Sequence, residues 1–146
     1  SGDIAFSVRI SSNTTLESNW PGKLAEGAND RIIFYFDSDT NYIIYYNGAT
    51  ATNLMAFNFD AWYHCELNFD VSDDLFDLQC KPDGGSFTSV TNKAFYAAAA
   101  GIDTFAVAMG SPQDAGNNFW VDDIRPTVAA PPAAGWEDYD IISDMQ

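Results

Sequence analysis

The closest approach in this sequence to a pair of catalytic carboxylates is Glu66 and Asp70. Enzymes that hydrolyse glycosidic bonds use two carboxyl groups about 5 to 10 Å apart. Residues spaced by four share one face of a strand, but the rise of the strand separates them by about 13 Å. This spacing predicts that Glu66 and Asp70 do not act together in glycoside hydrolysis.

The sequence has few residues suited to a lyase or to a nucleophilic hydrolase. His64 is the single histidine, and the 6 lysine and arginine residues are dispersed along the chain. A polysaccharide lyase would need a basic cluster that neutralises a uronate and removes its proton. No G-x-S-x-G nucleophile motif occurs either. The sequence therefore favours a non-catalytic function.

Two cysteines, Cys65 and Cys80, lie in the stretch 61–82. If this stretch forms a hairpin that turns at residues 71–74, the two residues face one another within reach of a disulfide. A disulfide in an acidic, aromatic-rich chain indicates a secreted or cell-surface protein. The alternative is a pair of buried free thiols. A metal site is not predicted here, because the chain has no further cysteine and His64 points to the opposite face of the hairpin.

The same turn fixes the register of the hairpin, with apolar pairs on one face and polar pairs on the other. The apolar pairs are Phe69 with Phe76, Leu67 with Leu78 and Cys65 with Cys80, and the polar pairs are Asn68 with Asp77, Glu66 with Gln79 and His64 with Lys81. Such a two-faced ribbon is typical of one half of a β-sandwich.

The net charge is −15, from 21 acidic residues against 6 basic ones. A protein with this negative charge repels nucleic acid and anionic membranes, so neither is expected as a partner. No stretch approaches the roughly 20 apolar residues of a membrane span, and membrane insertion is not expected. The acidity indicates either solubility in a saline environment or carboxylates that hold Ca²⁺.

Strand-like runs recur along the chain with turn residues between them, and no segment has helical periodicity over ten or more residues. Besides the hairpin at 61–82, the expected strands are 3–11, 31–36, 42–46, 54–59, 86–90, 104–110 and 118–126, while 12–30 is expected as a polar loop. The prediction is an all-β domain over 1–128, followed by a Pro/Ala linker at 129–135 and an acidic-aromatic tail at 136–146.

Two motifs resemble the concanavalin A-like lectin and glucanase jelly roll. They are the run Asp60 to His64 (DAWYH), which begins the middle hairpin, and the closing run Phe119 to Ile124 (FWVDDI). The pattern looks most like the LamG-like and carbohydrate-binding-module branch, which implies a two-sheet antiparallel jelly-roll sandwich. Domains of this pattern are frequent in secreted multidomain bacterial proteins, so neighbouring domains of a larger chain are expected partners. The E-x-D-x-x-E motif of glucanases on this fold is absent.

The resemblance also implies a structural calcium site. In related carbohydrate-binding jelly rolls, an aspartate of the closing strand ligates Ca²⁺ together with oxygens near the first strand. The matching residues are Asp122 and Asp123, with Asp3 at the first strand. The alternative is that these carboxylates cap neighbouring backbone amides.

Sugar binding needs flat aromatic faces with polar side chains around them. The aromatic residues that are hardest to bury lie in loops, beside turns, or on a strand face that also carries polar residues. These expected ligand contacts are Trp20, Tyr42, Tyr46, Trp62 and Trp120. The alternative for each is partial burial with only the polar tip in water.

Together these features predict a non-catalytic module that binds a polysaccharide or glycan, within a secreted or surface protein. Two other functions stay open, a structural or adhesive spacer and a divergent polysaccharide-degrading enzyme. A binding module should expose two or more aromatic side chains on one sheet face or loop cluster, whereas a spacer should expose none.

Overall fold

The computed structural model describes residues 1–11, 20–107 and 119–125, and the side chains of Trp20, Pro21, Val107 and Phe119 are outside that description. Ten strands make up its regular structure. They are β1 (Gly2–Ile10), β2 (Trp20–Glu26), β3 (Asn29–Asp37), β4 (Tyr42–Asn47), β5 (Thr50–Ala56), β6 (Trp62–Asp70), β7 (Leu75–Pro82), β8 (Thr88–Ala94), β9 (Thr104–Val107) and β10 (Phe119–Arg125).

The strands form two antiparallel sheets of five strands each. The first sheet has the order β10-β1-β6-β7-β8, and the second has the order β5-β4-β3-β2-β9. The two sheets pack face to face as a jelly-roll sandwich, so the predicted all-β, concanavalin A-like fold is confirmed. No helix in the described residues is long and apolar enough to cross a membrane.

The hairpin of β6 and β7 has the predicted register. Cys65 pairs with Cys80 and Leu67 with Leu78, and these four side chains are buried. The predicted disulfide is confirmed, with a Cα–Cα distance of 4.2 Å between the two cysteines. The apolar face of this hairpin therefore lies against the second sheet, and its polar face points outward.

The core lies between the sheets and is rich in aromatic rings, as expected for side chains that alternate along strands. Phe36 packs edge-on against both Phe57 and Tyr63, and Phe6 packs at a tilt against Phe34. The buried cluster consists of Phe6, Val8, Ile10, Leu24, Ile32, Phe34, Phe36, Ile43, Tyr45, Phe57, Tyr63, Cys65, Leu67, Phe76, Leu78, Cys80 and Phe95.

The prediction of a polar loop over 12–30 is wrong, because β2 occupies its second half. Pro21 and Gly22 gave the segment the composition of a turn. Gly22 instead lies beside Phe34, where an added Cβ would be 2.7 Å from the ring. Pro21 lacks an N–H, and among the described residues β9 pairs with β2 from Gly22 to Ala25, next to Pro21.

The bounds of two strands also differ from the expected ones. β5 begins at Thr50, four residues before the expected strand at 54–59, and β8 covers Thr88–Ala94 rather than 86–90. The predicted linker at 129–135, the tail at 136–146 and the domain end near 128 lie outside the described residues.

Candidate functional site

The outward side of the first sheet, called the site face below, carries the side chains that alternate with the core residues of β1, β6 and β7. Strand pairing arranges them in rows across the sheet. The rows are Trp120, Arg9 and Trp62; Asp122, Ser7, His64 and Lys81; Ala5, Glu66, Gln79 and Ser89; and Asp3, Asn68 and Asp77.

Polar side chains in the middle of the site face bond to one another. His64 bonds through Nε2 to Glu66 Oε1 at 3.1 Å, and its Nδ1 lies 3.4 Å from Ser7 Oγ. Gln79 Nε2 donates to the second carboxylate oxygen of Glu66. Because Ser7 and His64 face each other across β1 and β6, the pairing of these two strands positions the whole chain of contacts.

A pocket of about 250 Å³ opens on the same face. Its lining includes Ser7, Trp62, His64, Lys81, Asp83 and Asp122. Aromatic residues, the Lys81 cation and several hydrogen-bonding groups thus surround a space of the size of a small ligand. The pocket lies at the end of the sheet where β7 turns toward β8.

Aromatic rings flank this pocket on two sides. Trp120 is 41% exposed, and the Arg9 guanidinium lies 5.1 Å from the centre of its ring. Phe87 is 38% exposed, and the Lys81 ammonium lies 4.6 Å from its ring centre. Trp62 is half-buried and lines the pocket itself. Phe87 was not among the expected ligand contacts, because it fell within the expected strand 86–90, whereas it precedes β8.

The five predicted ligand residues do not share one surface. Trp62 and Trp120 lie on the site face, whereas Tyr42 and Tyr46 lie on the outward side of the second sheet. The reason is that β4 belongs to the opposite sheet, and ligand contact by the five residues stays a prediction. Trp20 lies on β2 of that same sheet, and its side chain is outside the described residues.

The tyrosines of the second sheet pack on one another. The Tyr46 ring centre is 6.2 Å from that of Tyr35 and 5.5 Å from that of Tyr96. Burial, together with the neighbouring Tyr46 and Asp37, raises the pKa of the Tyr35 hydroxyl to about 12. Tyr35 is thus held in its neutral form as part of the packing.

The three predicted calcium ligands are not brought together. Asp3 lies opposite Asn68, while Asp122 lies opposite Ser7, four residues further along β1 and so about 13 Å away. Asp122 accepts a hydrogen bond from the Asp123 backbone N–H at 2.8 Å, and Asp123 pairs with Arg125 at 3.2 Å. Within the described ranges, no three acidic, histidine or cysteine side chains are grouped to hold a metal ion. Calcium binding stays a prediction.

The carboxylate pair Glu66 and Asp70 has two separate roles. Glu66 bonds to His64 and Gln79, as described above. Asp70 accepts hydrogen bonds from the backbone N–H and the hydroxyl of Ser72, and the hydroxyl contact is the main cause of its lowered pKa. Asp70 therefore stabilises the turn between β6 and β7.

Comparison with known proteins gives likeness in structure only. The chain matches no protein-family model and no curated protein sequence. It is similar to the catalytic domain of a glycoside hydrolase family 131 protein from Coprinopsis cinerea, with a TM-score of 0.64 and 14% identity over 86% of this chain and 56% of that one. It is also similar to part of a sialidase, with a TM-score of 0.55 and 17% identity over 95% of this chain and 11% of that one.

These two likenesses support the concanavalin A-like fold and not the LamG-like branch in particular. The chain spans about half the length of the first structure and about a tenth of the second. At these identities the fold is what the proteins share, and the fold alone fixes no function.

Proposed function

We propose that the site face binds carbohydrate, and that the chain is a binding module that does not cleave glycosidic bonds. The observation that carries the proposal is the placement of Trp120 and Trp62 in one row of the same sheet face. With β1 between their strands, they lie about 10 Å apart. Two flat rings at this spacing can stack on neighbouring sugars of one chain.

The polar groups of the site face support this proposal. Asp122 lies in the row next to the tryptophans, and Gln79 and Asn68 lie in the two rows beyond it, so the face offers both hydrogen-bond donors and acceptors. A sugar presents hydroxyl groups around its ring, so it requires such a mixture beside an apolar face. The exposed Trp120 and Phe87 also support a binding module over a spacer.

The charge of the chain favours a neutral polysaccharide. At a net charge of −15, an anionic polymer would be repelled over a distance of several ångströms. The disulfide between Cys65 and Cys80 supports an extracellular location. The names of the two similar structures, a glycoside hydrolase domain and a sialidase, agree with a carbohydrate ligand.

Affinity electrophoresis tests the proposal directly. The purified protein is run in native gels that contain neutral or acidic polysaccharides, with Ca²⁺ and then with EDTA. Retardation by a neutral polymer is expected. No retardation by any polymer would overturn the proposal and favour a structural or adhesive module. Loss of retardation in EDTA would bring Asp122 and Asp123 into binding.

A further inference from the structure

Ser7, His64 and Glu66 form an arrangement that carbohydrate binding does not require. Ser7 Oγ lies 3.4 Å from His64 Nδ1, and His64 Nε2 lies 3.1 Å from Glu66 Oε1. A single neutral tautomer satisfies both contacts, since Nε2–H donates to Glu66 and Nδ1 accepts from the Ser7 hydroxyl. A hydroxyl, a base and a carboxylate that orients the base are the three parts of an activated nucleophile.

We propose that Ser7 is the nucleophile of an ester-hydrolysing site. His64 Nδ1 takes the proton of the Ser7 hydroxyl as Oγ bonds to the ester carbonyl carbon. The bond from that carbon to the alcohol oxygen then breaks, and His64 returns the proton to the departing alcohol. A water molecule, deprotonated by the same nitrogen, then bonds to the acyl carbon. The bond from that carbon to Ser7 Oγ breaks, His64 returns the proton to Oγ, and the carboxylic acid is released.

The surroundings of His64 suit a base that must stay in one orientation. Gln79 holds the second oxygen of Glu66, so the carboxylate that orients His64 is itself fixed. Glu66 is thus a positioning residue, which stabilises the imidazolium formed during the reaction. Ser7 and His64 are partly exposed and line the 250 Å³ pocket, where a substrate can reach them.

Lys81 supplies a positive charge beside the reacting groups. It pairs with His64 across β6 and β7 and lines the same pocket. Its ammonium contacts the Phe87 ring and forms no ion pair with any carboxylate of the described residues. A cation without an ionic partner can stabilise the negative charge that develops on the ester carbonyl oxygen.

The pocket also limits the substrate. Asp83, Asp122 and Asp123 line it, so an acyl group that carries a negative charge is disfavoured. We therefore assign small uncharged acyl groups, such as acetyl, to this site. That the alcohol part is a sugar hydroxyl rests on the proposed function, because Trp62 lines the pocket next to His64.

Hydrolysis of p-nitrophenyl acetate tests the proposal without any sugar. Ser7→Ala is expected to lower kcat/KM by about 100-fold or more, as is His64→Gln, which puts an amide in place of the base. The matched control is Ser72→Ala, in the turn between β6 and β7 and outside the pocket, which should hydrolyse the ester at the wild-type rate. A Ser7→Ala variant as active as wild type would overturn the proposal, since the imidazole alone would then account for turnover.

Two further measurements keep the proposal falsifiable if a variant is unstable. A fluorophosphonate probe should attach to wild-type Ser7, with release of fluoride, and peptide mass spectrometry would locate it. Labelling that is absent from Ser7 would contradict a nucleophilic role. Glu66→Gln should lower kcat with little change in KM, whereas a purely structural Glu66 would leave kcat unchanged. Because these assays contain no glycan, a negative result would contradict ester hydrolysis but not carbohydrate binding. A negative gel assay would contradict carbohydrate binding but not ester hydrolysis.

Discussion

The outward faces of the two sheets carry similar numbers of aromatic rings but use them differently. On the site face, Trp120 is exposed and alternates with polar side chains that can bond to a ligand. On the second sheet, Tyr35 is 8% exposed and Ile44 is 7% exposed, although both point away from the core. There, the Tyr46 ring packs against the rings of Tyr35 and Tyr96. Aromatic rings thus indicate a binding face only where polar side chains that can contact a ligand lie beside them.

The largest expected effect concerns the disulfide that lies beneath the site face. Replacing both Cys65 and Cys80 with alanine should lower the free energy of unfolding by about 3 kcal/mol, since the bond closes a loop of 15 residues. Urea unfolding measures the change. Reduction of the wild-type protein with dithiothreitol is the control and should give a similar loss. An unchanged midpoint in both experiments would show that the core around β6 and β7 holds the register alone.

The second prediction separates the two faces by ligand binding. Trp62→Ala and Trp120→Ala should each weaken binding of a polysaccharide identified by gel retardation by about 2 kcal/mol, or roughly 30-fold, because each removes a stacking surface. Isothermal titration measures the affinity. Tyr42→Ala is the matched control, since this ring is 38% exposed on the other sheet. Equal losses at Tyr42 and at the tryptophans would place binding on the second sheet as well.

The sequence predicted the β6–β7 hairpin because two independent signals agree there. The apolar residues of both strands fall in phase, and the two cysteines meet only in the register that this phase requires. No such agreement exists for β2, where Pro21 and Gly22 indicate a turn. The glycine is needed there because the Phe34 ring occupies the place of a side chain, and that contact depends on the packing of β3.

Of the candidate site, the sequence named Trp62, Trp120 and Asp122 as site residues but not Ser7. The strand period places His64 and Glu66 on one face, which the sequence shows. Ser7 is 57 residues away from His64, and only the pairing of β1 with β6 brings them together. In the same way, the spacing of Tyr42 and Trp62 gives no sign that β4 and β6 lie in different sheets.

The burial of Tyr35 on the outward face of the second sheet can be tested by the pH dependence of stability. Because the pKa of Tyr35 is about 12 in the folded protein and about 10 in the unfolded chain, the folded state holds this proton more tightly. The contribution of Tyr35 to stability should be constant below pH 10 and fall by about 1–2 kcal/mol between pH 10 and 12. Urea unfolding across this range measures the fall, and Tyr35→Phe should reduce it. Tyr42→Phe is the control, and an equal reduction there would contradict a special role for Tyr35.

The smallest expected effect lies at the turn that closes the site-face hairpin. The pKa of Asp70 is lowered in the folded protein by the hydroxyl and the backbone N–H of Ser72. Its contribution to stability is therefore present above the ordinary pKa of an aspartate and is lost as the pH falls through the lowered value. Ser72→Ala removes the hydroxyl, so the unfolding midpoint should depend less on pH below pH 4 than in the wild type. Ser89→Ala, which keeps the turn intact, should leave the acid dependence unchanged. If Ser72→Ala also left it unchanged, the backbone N–H of Ser72, and not its hydroxyl, would be the main cause of the lowered pKa of Asp70.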